Sequence, residues 1–178
     1  MPKRSVLFGG PSITVELFAA IIRLLPKGST ILEIGSGKVS PLWVDVGYRV
    51  ISIEHDEEWC NRYRGVEYRH VPIHGRWYHR KLFRDAVRSV EDYDLLIIDG
   101  PPGTHRVKTN RRGIMDMLGE FDRTKPVAID DIERKAEAEI TEAVIDWMQP
   151  ADSIPFCRGK RHHSIILLPE NWTEKGQR

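Results

Sequence analysis

The chain has 178 residues, 40% hydrophobic and 30% charged, with 27 Lys+Arg against 26 Asp+Glu for a net charge of +1. That length makes one domain able to bury about 70% of its unfolded surface without disulfides or metal. The balance excludes a disordered or collagen-like chain and a disulfide-stapled miniprotein, and no global basic field exists to draw nucleic acid. Cys60 and Cys157 lie far apart and make no metal spacing. They read as reduced, buried thiols of a cytoplasmic protein. Lys3 and Arg4 precede apolar residues, but Gly9, Gly10, Pro11, Glu16 and Arg23 break the run. Neither a signal peptide nor a membrane span is expected.

In chain order, Val15 to Leu25 has helical apolar spacing and stops at Pro26-Lys27-Gly28, so residues 1–28 read as a helical N-terminal cover. Thr30 to Ile34 is a short apolar strand ending in Gly35-Ser36-Gly37. Ser40 to Val46 reads as a short helix stopped near Gly47. Arg49 to Ile53 is β-rich and ends in Glu54. Glu57 to Tyr63 reads as a helix, Val66 to Ile73 as a strand, and Arg80 to Val90 as an amphipathic helix. Tyr93 to Ile98 is continuously apolar and ends in Asp99-Gly100-Pro101-Pro102-Gly103. Arg112 to Phe121 is helical, Pro126 to Ile129 a short strand before Asp130-Asp131, and Glu133 to Met148 a charged amphipathic helix. Ile154 to Cys157 and Ser164 to Leu168 pair as a closing hairpin, and residues 169–178 are a tail.

Strands alternating with helices predict an α/β domain, a Rossmann-like, doubly wound, mostly parallel sheet in three layers with a C-terminal antiparallel hairpin. Residues 29–168 form its core. In such sheets ligands bind beyond the carboxyl ends of the strands, at the switch point. The residues ending each run therefore matter most, and acidic groups end four of the five runs.

Gly35 and Gly37 follow a strand and open a turn whose free N–H groups can meet a polar ligand. A plain strand-to-helix turn explains the same pattern. Glu54 sharpens the ligand reading, because it ends the second strand about 20 residues on, where a carboxylate accepts both ribose hydroxyls. An adenosine-type ligand across the first two strands follows. A dehydrogenase fingerprint needs a third glycine where Ser40 stands, and Glu33 suits an ammonium group better than a diphosphate. S-adenosylmethionine carries that ammonium and a sulfonium.

Four segments resemble the class I S-adenosylmethionine-dependent methyltransferases, in order and at their spacing. ILEIGSG (31–37) is similar to their first motif, VISIEHDEEW (50–59) to the second-strand motif, YDLLIIDGPPG (93–103) to the fourth-strand motif and VAIDDIE (127–133) to the fifth strand. The resemblance spans about residues 12 to 168. It implies that Glu33, Gly35 and Gly37 contact the methionine half, and Ser36 and Asp99 are expected at the cofactor as well. Glu54 would hold the ribose, and His55 and Ile73 would flank the adenine. Val39 and Ser40 depart from the glycine or threonine of many members. Read by its residues alone, Ile73 also fits the core.

Asp99, Asp130 and Asp131 end two adjacent strands, and clustered carboxylates invite a cation such as Mg²⁺ or Mn²⁺. The trio resembles the cation-dependent O-methyltransferases, with an Asp-Asp pair in place of Asp-Asn. Two readings stay open. In one a metal binds an acceptor hydroxyl; in the other Asp99 orients the cofactor ammonium, Asp130 lies near the substrate and Asp131 caps the helix beginning at Glu133. His105, with Lys108 behind it, is the candidate base in the loop after Asp99, and an exposed loop histidine is the alternative.

His70, His74 and His79 are too irregularly spaced for a metal face. Arg106, Lys108, Arg111 and Arg112 form one basic loop, and Lys160, Arg161, His162 and His163 a second. Both read as solvated faces, with substrate-phosphate, carboxylate or RNA contact as the alternative. The expected function is methyl transfer to a hydroxyl of a small molecule. The rivals are an NAD(P)-dependent oxidoreductase, a non-catalytic cofactor-binding module and an RNA methyltransferase. Nucleic acid and membrane are not expected partners. The bare fold leaves the acceptor side open, which suits a homodimer.

Overall fold

The structure is a computed structural model that describes residues 13–102, 109–157, 163–170 and 172. Helix α1 (Val15–Leu24) starts where the Thr14 hydroxyl accepts the Leu17 N–H at 3.2 Å, and it buries Leu17, Ala20, Ile21 and Leu24. Strand β1 (Thr30–Ile34) and helix α2 (Ser40–Val46) follow, and α2 ends on Gly47 at φ 106°. Next come β2 (Arg49–Glu54), β3 (Val66–His70) and a two-rung hairpin of β4 (Ile73–His74) and β5 (Trp77–Tyr78). Helix α3 (Arg80–Arg88) leads to β6 (Leu95–Ile98), a 3-10 helix (Arg111–Glu120) and β7 (Val127–Ile129). Helix α4 (Lys135–Met148) and the hairpin of β8 (Asp152–Cys157) and β9 (His163–Leu168) complete the chain.

Seven strands form one sheet in the order β3-β2-β1-β6-β7-β9-β8. β3, β2, β1, β6 and β7 run parallel within it, and β9 inserts antiparallel between β7 and β8. The order reverses between β1 and β6, so the crevice of the switch point opens there. Period-two alternation divides the apolar run 95–98 between two layers. Leu96 and Ile98 join Phe83, Met117, Ile140 and Val144 on one face, while Leu95 and Ile97 join Leu17, Ile21 and Trp43 on the other. The sheet is thus covered on both sides, as a continuous apolar strand requires.

Three local expectations change. Residues 57–63 form turns, not a helix: the Asp56 carboxylate and carbonyl take the N–H groups of Glu58 and Trp59, and Asn61 sits at φ 65°. That left-handed residue stops helical propagation. The strand expected over 66–73 ends at His70, since Pro72 has no N–H for the ladder, and the chain turns into the β4-β5 hairpin. The cysteines are unpaired, yet Cys60 is only half-buried and Cys157 is exposed, so the burial expected for them is wrong. Cys157 is a terminal residue of β8, whose outer positions face solvent.

Candidate active site

The turn after β1 is built around Gly35. Its φ of +89° is open to glycine at no steric cost, and its N–H donates to the Ile53 carbonyl at 2.9 Å. The next N–H, from Ser36, donates to Glu54 Oε2 at 2.7 Å. The other Glu54 oxygen accepts the N–H groups of His55 at 2.6 Å and Asp56 at 2.8 Å, and His55 Nδ1 lies 2.6 Å from it. Burial pushes the Glu54 carboxyl up, but these donors outweigh it and hold Glu54 below its ordinary value, ionised at neutral pH. The carboxylate at the end of β2 is therefore fixed against the glycine turn.

Ser40 explains the departure from the family pattern. Its hydroxyl donates to Glu33 Oε2 at 2.7 Å and accepts the Gly37 N–H at 2.9 Å. A side chain thus closes the turn and caps a carboxylate at once. Glu33 is buried in β1 on the face shared with Ile31 and Ile97, and desolvation lifts its carboxyl to about 8 despite the Ser40 bond. Glu33, Gly37, Lys38, Val39, Trp43, Ile97, Asp99 and Ile13 line a small open cleft. Of the residues expected on the methionine side, Glu33, Gly37 and Asp99 line this cleft, and Gly35 and Ser36 do not.

Asp99, Asp130 and Asp131 also converge, each offering an oxygen within 4.8 Å of the others. A guanidinium stands among them. Arg111, only 3% exposed, places Nη2 at 2.9 Å from Asp99 Oδ1 and 3.4 Å from Asp131 Oδ2. Its Nη1 reaches the Asp130 carbonyl at 3.4 Å and lies 3.7 Å from Glu137 Oε1. Burial pulls the Arg111 charge down, but the carboxylates of Asp99, Asp131 and Glu137 outweigh it. Asp131 takes a second cation, Arg134 Nη1, at 2.7 Å. Asp99 is raised by burial, against the pull of Arg111. Asp130 is raised by burial and by Asp99 and Asp131, and its Oδ1 has no hydrogen-bond partner among the described residues.

The remaining expected residues lie elsewhere. His55 follows Glu54, its ring edge-on to Tyr78 at 6.0 Å, and its carbonyl is 3.2 Å from His70 Nε2. Ile73, in β4, packs half-buried against the core layer that holds Leu32 and Ile53. His105 and Lys108, the expected base and its neighbour, lie outside the described residues, as do Arg106, Lys160, Arg161 and His162. The solvated basic-loop reading fails for one of the two described members, Arg111, and not for Arg112, which stays partly exposed. Arg111 is buried in the acid cluster, and Arg112 pairs with Glu139 at 2.5 Å. Sequence reasoning missed Arg111 and Glu137 as members of the cluster. The available signal was charge balance: carboxylates at one sheet edge need cations, and the loop after Asp99 offered Arg106, Lys108, Arg111 and Arg112 as candidates.

The antiparallel β9 between β7 and β8 decides the architecture, because a wholly parallel dinucleotide sheet has no such strand. This is the class I methyltransferase fold. Solved structures agree. The MTase domain of delta-N METTL16 matches at 17% identity and TM-score 0.57, over 93% of this chain and 90% of that one. A TehB-like SAM-dependent methyltransferase from Corynebacterium glutamicum matches at 13% identity and TM-score 0.54, over 87% and 86%. MtNAS, solved in complex with MTA and tNA, matches at 14% identity and TM-score 0.51; 87% of this chain is covered but only 59% of that one. No family model and no curated protein matches the sequence. Among the described residues no helix is long and apolar enough to cross a membrane.

Proposed function

We propose that the chain is an S-adenosylmethionine-dependent methyltransferase acting on a hydroxyl of a small molecule. One observation carries the reading: Glu54 is ionised and accepts the Ser36 N–H of the glycine turn, whose Gly37 lines the cleft that reaches Asp99. An ionised carboxylate beside a glycine turn offers acceptors to two ribose hydroxyls. Glu33, Asp99, Gly35 and Gly37 would hold the methionine half. The bound cofactor would supply a methyl group on a sulfonium, open to in-line displacement by the acceptor oxygen.

The chain's own part is alignment and proton handling. A methyl acceptor hydroxyl loses one proton as the oxygen–carbon bond forms and the sulfur–carbon bond breaks. Asp130 stands at the end of β7 with its carboxyl raised by burial and its Oδ1 without a hydrogen-bond partner among the described residues, and this reading makes it the base for that proton. His105 belongs to the same reading as an alternative base. The unpaired cysteines support a cytoplasmic setting.

Calorimetric titration with S-adenosylhomocysteine, with NADH as the control ligand, tests the proposal. Saturable binding of the former, lost in Glu54→Ala, is the expected result. Binding of NADH alone would overturn it in favour of an oxidoreductase. Cofactor binding without turnover on any hydroxyl acceptor would leave the non-catalytic module.

A further inference from the structure

We propose that the Arg111 guanidinium is the resident cation of the Asp99–Asp131–Glu137 cluster, standing where a divalent ion would have to bridge the carboxylates. The inference concerns binding and stability and stands apart from the methyl-transfer reading.

The geometry carries it. A metal joining Asp99 to Asp131 needs a centre within reach of both carboxylates, about 2.0–2.6 Å from each oxygen for Mg²⁺ or Ca²⁺. The atom found between Asp99 Oδ1 and Asp131 Oδ2 is Arg111 Nη2, at 2.9 and 3.4 Å. These are nitrogen-to-oxygen separations of a bridging ion pair, and one nitrogen serves both acids. Arg111 is also anchored from outside the acid trio. Its second nitrogen meets the Asp130 carbonyl, and Glu137, buried at 2% exposure in the first turn of α4, faces it at 3.7 Å. The 3-10 helix starts at Arg111, and the Asn110 side chain caps that start through the Arg112 N–H at 3.0 Å. The backbone that delivers Arg111 is therefore fixed as well.

The physical consequence is twofold. Four carboxylates, from Asp99, Asp130, Asp131 and Glu137, meet with Arg111 as the one fully buried cation among the described residues. Removing one partner of a buried ion pair leaves uncompensated charge, which is strongly destabilising. A divalent ion is the natural replacement. A planar guanidinium, unlike a small ion, also sets the angle between Asp99 and Asp131. Arg111 thereby acts as a positioning residue for Asp99, through which the cleft is shaped.

Mn²⁺ binding followed by electron paramagnetic resonance, together with melting temperature in EDTA and in Mn²⁺, tests this on the full chain. The wild type should show no saturable site tighter than about 1 mM and the same melting temperature in both solutions. Arg111→Met should melt lower in EDTA, gain a saturable Mn²⁺ site and recover melting temperature as Mn²⁺ is added. Arg111→Lys should restore much of the stability without gaining the Mn²⁺ response, because its ammonium supplies the charge. A wild-type site at micromolar Mn²⁺ that Asp131→Asn abolishes would overturn the proposal, and this holds even if Arg111→Met fails to fold. A folded Arg111→Met with no Mn²⁺ response would also overturn it.

Discussion

Gly35 and Gly100 touch backbone to backbone across the switch point. A Cβ built on Gly35 falls 2.7 Å from Gly100 Cα, and one built on Gly100 falls 2.6 Å from Gly35 Cα. The turn after β1 and the loop after β6 are thus packed with no room for either side chain, directly beside the cleft that Glu33 and Asp99 line. Neither backbone can yield as a flexible side chain could.

Gly35→Ala and Gly100→Ala should each cost about 1–3 kcal/mol by overpacking. Gly35→Ala carries the extra cost of a left-handed conformation, about 1–2 kcal/mol. The two share one contact, so the double variant should cost less than the sum. Urea denaturation of the three variants measures this, and strict additivity would refute the shared contact.

Glu33 sets a pH dependence. Its ordinary value is 4.5 and burial raises it to about 8, so the native state holds the proton longer than the unfolded chain does. The stability it contributes is complete below pH 4.5 and is lost as pH rises towards 8. Glu33→Gln removes that loss and keeps an acceptor for Ser40. Its stability relative to wild type should therefore grow between pH 5 and 8, by at most about 1.4 kcal/mol per pH unit. A difference that stays flat across this range would contradict the raised value.

Ser40 is fully buried and joins the Glu33 carboxyl to the Gly37 N–H. Ser40→Ala removes both bonds and should cost about 1–3 kcal/mol. It should also push the Glu33 carboxyl further up, since the Ser40 bond is the largest influence holding it down. Thermal melts at pH 5 and pH 8 should show the larger loss at pH 8.

Gly113 and Gly119 lie in the same 3-10 helix but differ in surroundings. A Cβ at Gly113 would stand 2.1 Å from the Trp77 ring, whereas at Gly119 nothing lies within 4 Å. Gly113→Ala should lose about 1–3 kcal/mol, because a buried indole cannot step aside. Gly119→Ala should be neutral or gain about 0.4–1 kcal/mol through the unfolded chain. Equal melting temperatures for the two variants would argue against the Trp77 packing.

The sequence by itself determined the layers and the edge where chemistry is placed. Thr30–Ile34 and Ser40–Val46 have the bounds their patterns predict, and the apolar run 95–98 is buried on both faces. Such features are local: hydrophobic period, a proline, a glycine stop. Glu54, Asp99 and Asp130-Asp131 were legible for the same reason, as residues ending strands in a fold whose ligands gather there. Only the tertiary structure decided what those groups touch. Ser40 reads as a missing glycine until its hydroxyl is seen between Glu33 and Gly37. Arg111 reads as one residue of a solvated basic loop until the 3-10 helix carries it between carboxylates that come from β6, β7 and α4. Partners brought together from distant parts of the chain leave no period or spacing in it, and Coulomb pairing in a buried site depends on three-dimensional distance alone.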